Sequence, residues 1–406
     1  MSGFLFEALA FLLRWLHVVA AIAWIGESFY FVMLDRALKP GKNAPPGVRG
    51  ELWSVHGGGF YHKQKYEVAP AQMPDDLHWS MWKSYTTWLS GFALLSALYL
   101  SSPQVYLIDP QVMPLEPASA VGWALFFLVS SWLVYDLLCR LVGLRDRILG
   151  VLVTLMVIAL AWSATSVFAG RAAFLLVGAS LATIMTANVF FVIIPGQRRM
   201  VAALARGEQP DPLPGLRGKQ RSVHNTYFTL PVVFAMLSIH YASAYAHQHN
   251  AVLLLAFMAA GALIRQFFVL WHSGGRAWWL LVVGGLVLIG AFALMAPLPS
   301  IGPAAAPAST ASPVTRQPDP EWARVEATTA NVLPIIQTHC HNCHAQAPTM
   351  FPTAPAGLIF ESAEQIEAQR MKIYQQVSVL RIMPPGNLTG ISEGERELIG
   401  RWALQP

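Results

Sequence analysis

Apolar residues in this chain come in long runs separated by short polar loops. Eight runs are long enough to cross a bilayer, which takes about 20 residues of helix. They are Leu9–Leu34, Trp79–Leu100, Val121–Leu138, Ile148–Phe168, Ala172–Ile194, Phe228–Ala246, Ala251–Trp271 and Trp278–Met295. The first lacks the basic start and short apolar core of a secretion signal, so it reads as a permanent helix. After Met295 the pattern changes. Pro297–Pro320 is rich in Pro, Ala and Ser, an extended tether reaching about 70 Å at about 3.1 Å per residue. Glu321–Pro406 returns to a mixed polar pattern with helical periodicity. The expected fold is all-α: an eight-helix transmembrane bundle over residues 1–296, a linker over 297–320, and a small all-α domain over 321–406.

Composition agrees. Charged residues are 12% of the chain, about half the usual share of roughly 25%. Hydrophobic residues reach 55% and mean hydropathy is +0.45, too apolar for a soluble enzyme or a disordered chain. The net charge of +5 is explained by where the basic residues lie. The odd-numbered loops carry sixteen Lys and Arg, whereas the even-numbered loops carry only Arg171. The positive-inside bias therefore places the odd loops in the cytoplasm and both termini outside. No nucleic-acid partner is needed to account for the charge.

The C-terminal segment holds a C-x-x-C-H pattern, Cys340-His341-Asn342-Cys343-His344. At this spacing two thiols on one helical turn bond the two vinyl groups of a covalent haem c, and His344 reaches the iron. Zinc would need more Cys or His ligands, and a thioredoxin-type pair would need a βαβ setting. A second axial ligand is expected downstream. Met383 suits it best, because Pro384 and Pro385 keep that stretch out of helix. Met350 and Met371 compete; the first lies in a Pro-rich loop and the second in a helical pattern that predicts a core position. His339 and His341 are expected to be exposed flanking residues. With a helix-like Asn331–Thr338 before the motif, the segment resembles a class I cytochrome c. Such a haem is attached outside the cytoplasm, which predicts a bacterial inner membrane with this domain on the periplasmic side.

Ionisable residues inside a bilayer are costly and mark function by default. His17 in the first span and His240 in the sixth fall at similar depth in the outer half, the arrangement that holds a b-type haem between two helices. The alternative is two unrelated histidines bonded to backbone or water. A second cluster faces the cytoplasm: His224, Asn225, Thr226 and Tyr227 open the sixth span, and Trp271 and His272 end the seventh. Loop one adds His56, Gly57–Lys63 and His78–Lys83. Amide, basic and aromatic groups together suit a planar anion, although Trp and Tyr also form ordinary interfacial belts. Glu27 and Arg265 share a similar inner depth and are expected to form a buried ion pair, with a proton route as the alternative. Cys139 is expected to be a packed thiol. No G-x-G-x-x-G after a strand, P-loop or H-E-x-x-H is present.

Leu16-His17-Val18-Val19, Trp24-Ile25-Gly26-Glu27, Trp88-Leu89-Ser90-Gly91-Phe92 and His224–Pro231 through His240-Tyr241 together resemble the bacterial membrane-bound urate oxidases, or urate hydroxylases. That family joins an eight-helix membrane domain to a C-terminal cytochrome c. The helix-one pattern is also similar to that of haem-binding membrane proteins of the copper-resistance and protoporphyrinogen-oxidase type. The resemblance implies oxidation of urate to 5-hydroxyisourate, with electrons leaving through the cytochrome to a soluble cytochrome c or terminal oxidase rather than directly to oxygen. Membrane lipid is the other expected partner. His224, Asn225 and His272 become the expected catalytic residues, a histidine among them removing a urate proton. Cys340, Cys343, His344 and Met383 would hold haem c, and His17 and His240 a membrane haem b. A membrane electron-transfer protein linked to quinol or haem, without urate chemistry, is the competing reading. A haem in the outer half would lie far from a substrate at the cytoplasmic face.

Overall fold

A computed structural model describes residues 3–70, 72–296, 322, 324–351 and 354–405. The predicted linker, Pro297–Pro320, lies outside the described residues. The chain is mostly helical. Helix α1 is Gly3–Ala37. α2 (Trp82–Leu95) continues as a π-helix over Ser96–Leu100, and α3 (Pro103–Tyr106) is a single turn. Then come α4 (Pro117–Val142), α5 (Asp146–Val167), α6 (Gly170–Ala187) and α7 (Ile194–Ala205). α8 (Leu213–Ser238), α9 (Ala242–Tyr245), α10 (Asn250–Trp271) and α11 (Trp279–Met295) complete the N-terminal part.

Five helices among the described residues are long and apolar enough to cross a membrane: Phe4–Ala37, Pro117–Val142, Asp146–Val167, Gly170–Ala205 and Asn250–Trp271. Trp279–Met295 is a shorter apolar helix. On α4, Phe126, Val129, Leu133 and Leu137 are exposed, and on α5 Ile148, Val151, Leu155, Ile158 and Trp162. Each set recurs at three and four residues, one stripe per helix, which water would not tolerate and lipid would cover. The sixth predicted span differs most. Its helix begins at Leu213 and ends at Ser238, so its first half is polar and His240 falls beyond its end.

Proline and glycine shape the bundle. Pro195 cannot donate a helical hydrogen bond, and the preceding turn, Asn188–Ile193, widens into a π-helix between α6 and α7. Small residues let helices approach: a Cβ added at Gly178 would lie 2.7 Å from Ala235 Cβ, and one at Gly261 would lie 3.1 Å from Leu230 Cβ. The core between α4, α5, α6 and α8 is fully apolar at Leu149, Phe168, Phe174, Leu176 and Leu181. Cys139 is buried there as a free thiol.

The all-α expectation needs one correction. Loop one folds into an antiparallel hairpin, β1 (Val48–His56) and β2 (Gly59–Tyr66), with His56 paired to Gly59. Gly57 and Gly58 have φ of +58° and +79°, the left-handed conformation that a two-residue hairpin turn needs and that glycine adopts freely. These glycines therefore turn a strand rather than line a ligand loop. Lys65 Nζ bonds Asp35 Oδ1, and Lys63 Nζ stands 5.4 Å from the Tyr30 ring, tying the hairpin to the end of α1.

The C-terminal part is a small helical unit of α12 (Thr329–His344), α13 (Ala363–Ala368), α14 (Arg370–Ile373), a π-turn over Tyr374–Val379, and α15 (Glu393–Ala403). Val332, Ile336, Ile366, Leu398 and Trp402 form its core. Ser362 with Gln365 and Ser392 with Glu395 make capping boxes for α13 and α15. The unit touches the loop after the second predicted span: Phe351 meets Tyr106 edge-on at 6.3 Å, and Gly386 lies against Ile108.

Candidate functional site

The polar half of α8 is built into a continuous buried network. Arg221 donates through Nη1 to Asn188 Oδ1 at 2.9 Å and through Nη2 to Asp136 Oδ1 at 2.7 Å. Asp136 also accepts from Arg140 Nε at 2.6 Å. Asn188 Nδ2 donates to Asn225 Oδ1 at 3.0 Å and to the Tyr135 hydroxyl at 3.3 Å. The Tyr135 hydroxyl in turn lies 2.7 Å from His224 Nδ1. The Arg221 guanidinium also sits 5.0 Å from the Tyr135 ring centroid. Donors and acceptors match along the whole chain when Tyr135 donates to His224, which leaves the His224 proton on Nε2. Asn225 spends its amide inside the network, since its Nδ2 donates to the Met185 carbonyl at 3.0 Å. In low dielectric such a network is stable only when every member is paired.

The structure thus joins His224 and Asn225. Among the described residues no hydrogen bond joins His272, the C-cap of α10, to them. Burial lowers the His272 pKa, and the Arg265 charge lowers it further. Tyr135, Asp136, Asn188 and Arg221 went unsuspected in the sequence. Their signal was present, because Asp136 and Asn188 are polar residues inside apolar runs.

The expected Glu27–Arg265 ion pair does not form. Glu27 Oε1 accepts instead from Lys83 Nζ and from Ser80 Oγ, both at 2.7 Å, because α1 lies along α2 and the start of α2 supplies both donors. Arg265 is 3% exposed, its Nε and Nη2 have no hydrogen-bond partner, and its guanidinium stands 4.0 Å from the Phe29 ring centroid. Next to it the Tyr227 hydroxyl donates to Gln266 Oε1.

Earlier along α1, His17 Nδ1 lies 2.9 Å from the Thr87 carbonyl and 3.2 Å from Ser90 Oγ. Donation to Thr87 leaves Nε2 as the free lone pair. The ring fills the place beside Gly91, where an added Cβ would lie 2.7 Å from His17 Cε1. His240 is exposed just past α8, and among the described residues no hydrogen bond or ring contact joins it to His17.

In the C-terminal unit, Cys340, Cys343 and His344 occupy the last turn of α12. His344 Nδ1 lies 3.0 Å from the Leu358 carbonyl, a bond that fixes the ring and leaves Nε2 for a metal. Burial lowers the His344 pKa, partly countered by that bond, which favours the neutral ligand form. Burial, then neighbouring Cys343, push the Cys340 thiol up to about 12. Met383 packs against the same core, with its carbonyl 2.8 Å from Arg396 Nη1. Cys340 and Met383 pack on one core, and Cys343 and His344 follow Cys340 at the end of α12, donor types that could hold a haem. Cys343 Sγ is also 3.8 Å from Met350 Sδ. Two expectations fail here. His339 is buried, with Thr389 Oγ1 at 2.9 Å from Nδ1 and Glu395 Oε1 at 3.3 Å from Nε2; it sits one turn before Cys343, on the side facing α15. Met371 is 59% exposed, because the break after α13 turns it outward.

The fold is that of a multi-pass membrane protein with a buried polar site at the basic end of its helices. Over residues 3–296 the sequence matches the family model described as urate oxidase N-terminal, and the chain belongs to that family. Membership points to urate-related oxidation. No curated protein matches the chain, and no solved structure matches it.

Proposed function

We propose that the chain is a membrane-bound urate hydroxylase, which converts urate to 5-hydroxyisourate and delivers the electrons to the respiratory chain rather than directly to oxygen. Family membership over residues 3–296 carries the reading. The reaction consumes one water and releases two protons and two electrons, so the chain must bind a planar anion, accept protons and provide an electron exit. Cys340, Cys343, His344 and Met383 would hold haem c, the two cysteines through covalent bonds. When bound, that group supplies a one-electron acceptor on the outer side.

The residues around the inner ends of α8 and α10 suit the other two tasks. His272, whose pKa burial and the Arg265 charge lower, is the imidazole suited to accept a proton. His224, its Nδ1 engaged by Tyr135, presents Nε2–H as a fixed donor, while Asn225 holds α8 against α6. His17, with Nε2 free, and His240 remain the proposed ligands of a membrane haem b. The bacterial inner membrane is the proposed location, with the eight predicted spans crossing it and the C-terminal unit outside; its contact with the loop at Tyr106 and Ile108 supports that side.

The deciding experiment is a visible spectrum of the purified protein, anaerobic, before and after urate. Reduction of c-type bands by urate without oxygen is the expected result. Oxidised bands that urate leaves unchanged, but a quinol reduces, would replace the enzyme with an electron-transfer protein.

A further inference from the structure

Arg265 is a cation without a counter-ion in the interior of a membrane domain. Among the described residues no carboxylate pairs with it, since Glu27 is taken by Lys83 and Ser80. Isolated buried charges are expensive, and where they persist a partner is usually supplied. The unpartnered atoms are Nε and Nη2, which together form one edge of the guanidinium. That edge carries two parallel N–H groups, the fork that grips a carboxylate or an amide-like anion in bidentate fashion.

The surroundings match such a ligand. The Arg265 guanidinium lies over the Phe29 ring, 4.0 Å from its centroid, a cation–π contact that holds the fork in position. Gln266 accepts from the Tyr227 hydroxyl through Oε1, so its amide is turned with Nε2–H₂ as the available donor. A buried guanidinium edge held over Phe29, with an amide donor on the neighbouring residue and no carboxylate paired to it among the described residues, describes an anion site, not a structural ion pair. Resting on the proposed urate chemistry, we infer that urate binds between α1, α8 and α10, with its anionic edge on the Arg265 fork and a carbonyl on Gln266. The Arg221–Asp136–Asn188 network offers no such fork, since its donors and acceptors are spent on each other; His224 Nε2–H is the group it leaves to donate. His272, seven residues on along α10, lies on the cytoplasmic side of the same helix.

The test is equilibrium binding of urate to the full-length protein in detergent, anaerobic, for the native chain, Arg265→Gln, Arg265→Lys and Phe29→Leu. Arg276→Gln, in the loop after α10, serves as a charge control. Losing a buried bidentate contact costs about 10- to 100-fold in affinity, so Arg265→Gln should weaken binding by about that factor. Arg265→Lys should recover only part, because an ammonium lacks the fork, and Arg276→Gln should bind as the native chain does. Monodisperse elution and native helical circular dichroism certify each variant as folded; if Arg265→Gln fails this, Arg265→Lys and Phe29→Leu carry the test. Native affinity in the folded Arg265 and Phe29 variants would overturn the site while leaving the urate reading intact. A native chain that binds no urate would overturn the urate reading itself.

Discussion

At the residue scale, polar side chains inside the helical domain fall into two kinds. Those of the Arg221 network satisfy one another; Arg265 does not. Breaking a buried pair by removing one member leaves an uncompensated charge and costs about 3 to 5 kcal/mol. Asp136→Asn, which strands Arg221, should therefore lower thermal stability of the purified protein by a comparable amount, measured as a fall in melting temperature in detergent. A shift no larger than that of a surface substitution would mean that the Asp136–Arg221 contact at 2.7 Å contributes little. Gly91 makes a second prediction. A methyl group there would enter the ring of His17, 2.7 Å away, and overpacking of this kind typically costs about 1 to 3 kcal/mol. Gly91→Ala should displace the imidazole, and any b-type absorption band should weaken while c-type bands persist; a full b-type band in the variant would remove His17 from its ligands. Of these residues, Arg265 and His17 stood out in the sequence as charges in apolar runs. Their partners did not, because a partner lies on another helix and one chain pattern carries no register between helices.

At the element scale, α15 illustrates how a local signal becomes a stabilising device. Ser392 accepts from the Glu395 amide, and the Glu395 carboxylate accepts from Ser392. Burial pushes the Glu395 pKa up, but the Ser392 bonds and His339 outweigh it and hold the carboxyl below its usual value. A carboxylate whose folded pKa is depressed adds stability above its unfolded value of about 4.3, and that stability is lost as pH falls through the folded value. Ser392→Ala should cost about 1 kcal/mol near neutrality, with the gap to the native chain narrowing below about pH 4, as followed by circular dichroism melts. A gap that stays constant through acid would show that the carboxylate takes no part. The hairpin is equally local in origin: Gly57-Gly58 between two strand-forming segments is a turn signal, although the same glycines beside Tyr61, His62 and Lys63 also resemble a ligand loop.

At the scale of the whole molecule, the C-terminal unit and the helical domain meet where Gly386 faces Ile108. Gly386 has φ of +55°, and a Cβ there would lie 2.7 Å from the Ile108 carbonyl oxygen. Gly386→Val is therefore strained twice, by backbone conformation and by the neighbouring chain. If the two parts work together, the variant should keep any haem absorption but slow its reduction by urate in stopped flow. An unchanged rate would show that this contact does not govern transfer. Glycine here is needed for close approach, a requirement that appears only when two distant segments are brought together.

The sequence by itself determined the features that depend on local spacing. Runs of apolar residues marked most of the long helices but not the polar first half of α8, and C-x-x-C-H with a downstream Met-Pro marked the expected haem ligands. Each is a property of neighbours along the chain, fixed by helical rise, bilayer thickness or the reach of two thiols. Only the tertiary structure decided who pairs with whom. It gave Glu27 to Lys83 rather than Arg265, buried His339 against α15, closed the Tyr135–Asn188–Arg221 network, and left one guanidinium edge unpartnered. Those outcomes depend on which faces of separate helices meet, and that is settled by packing in three dimensions.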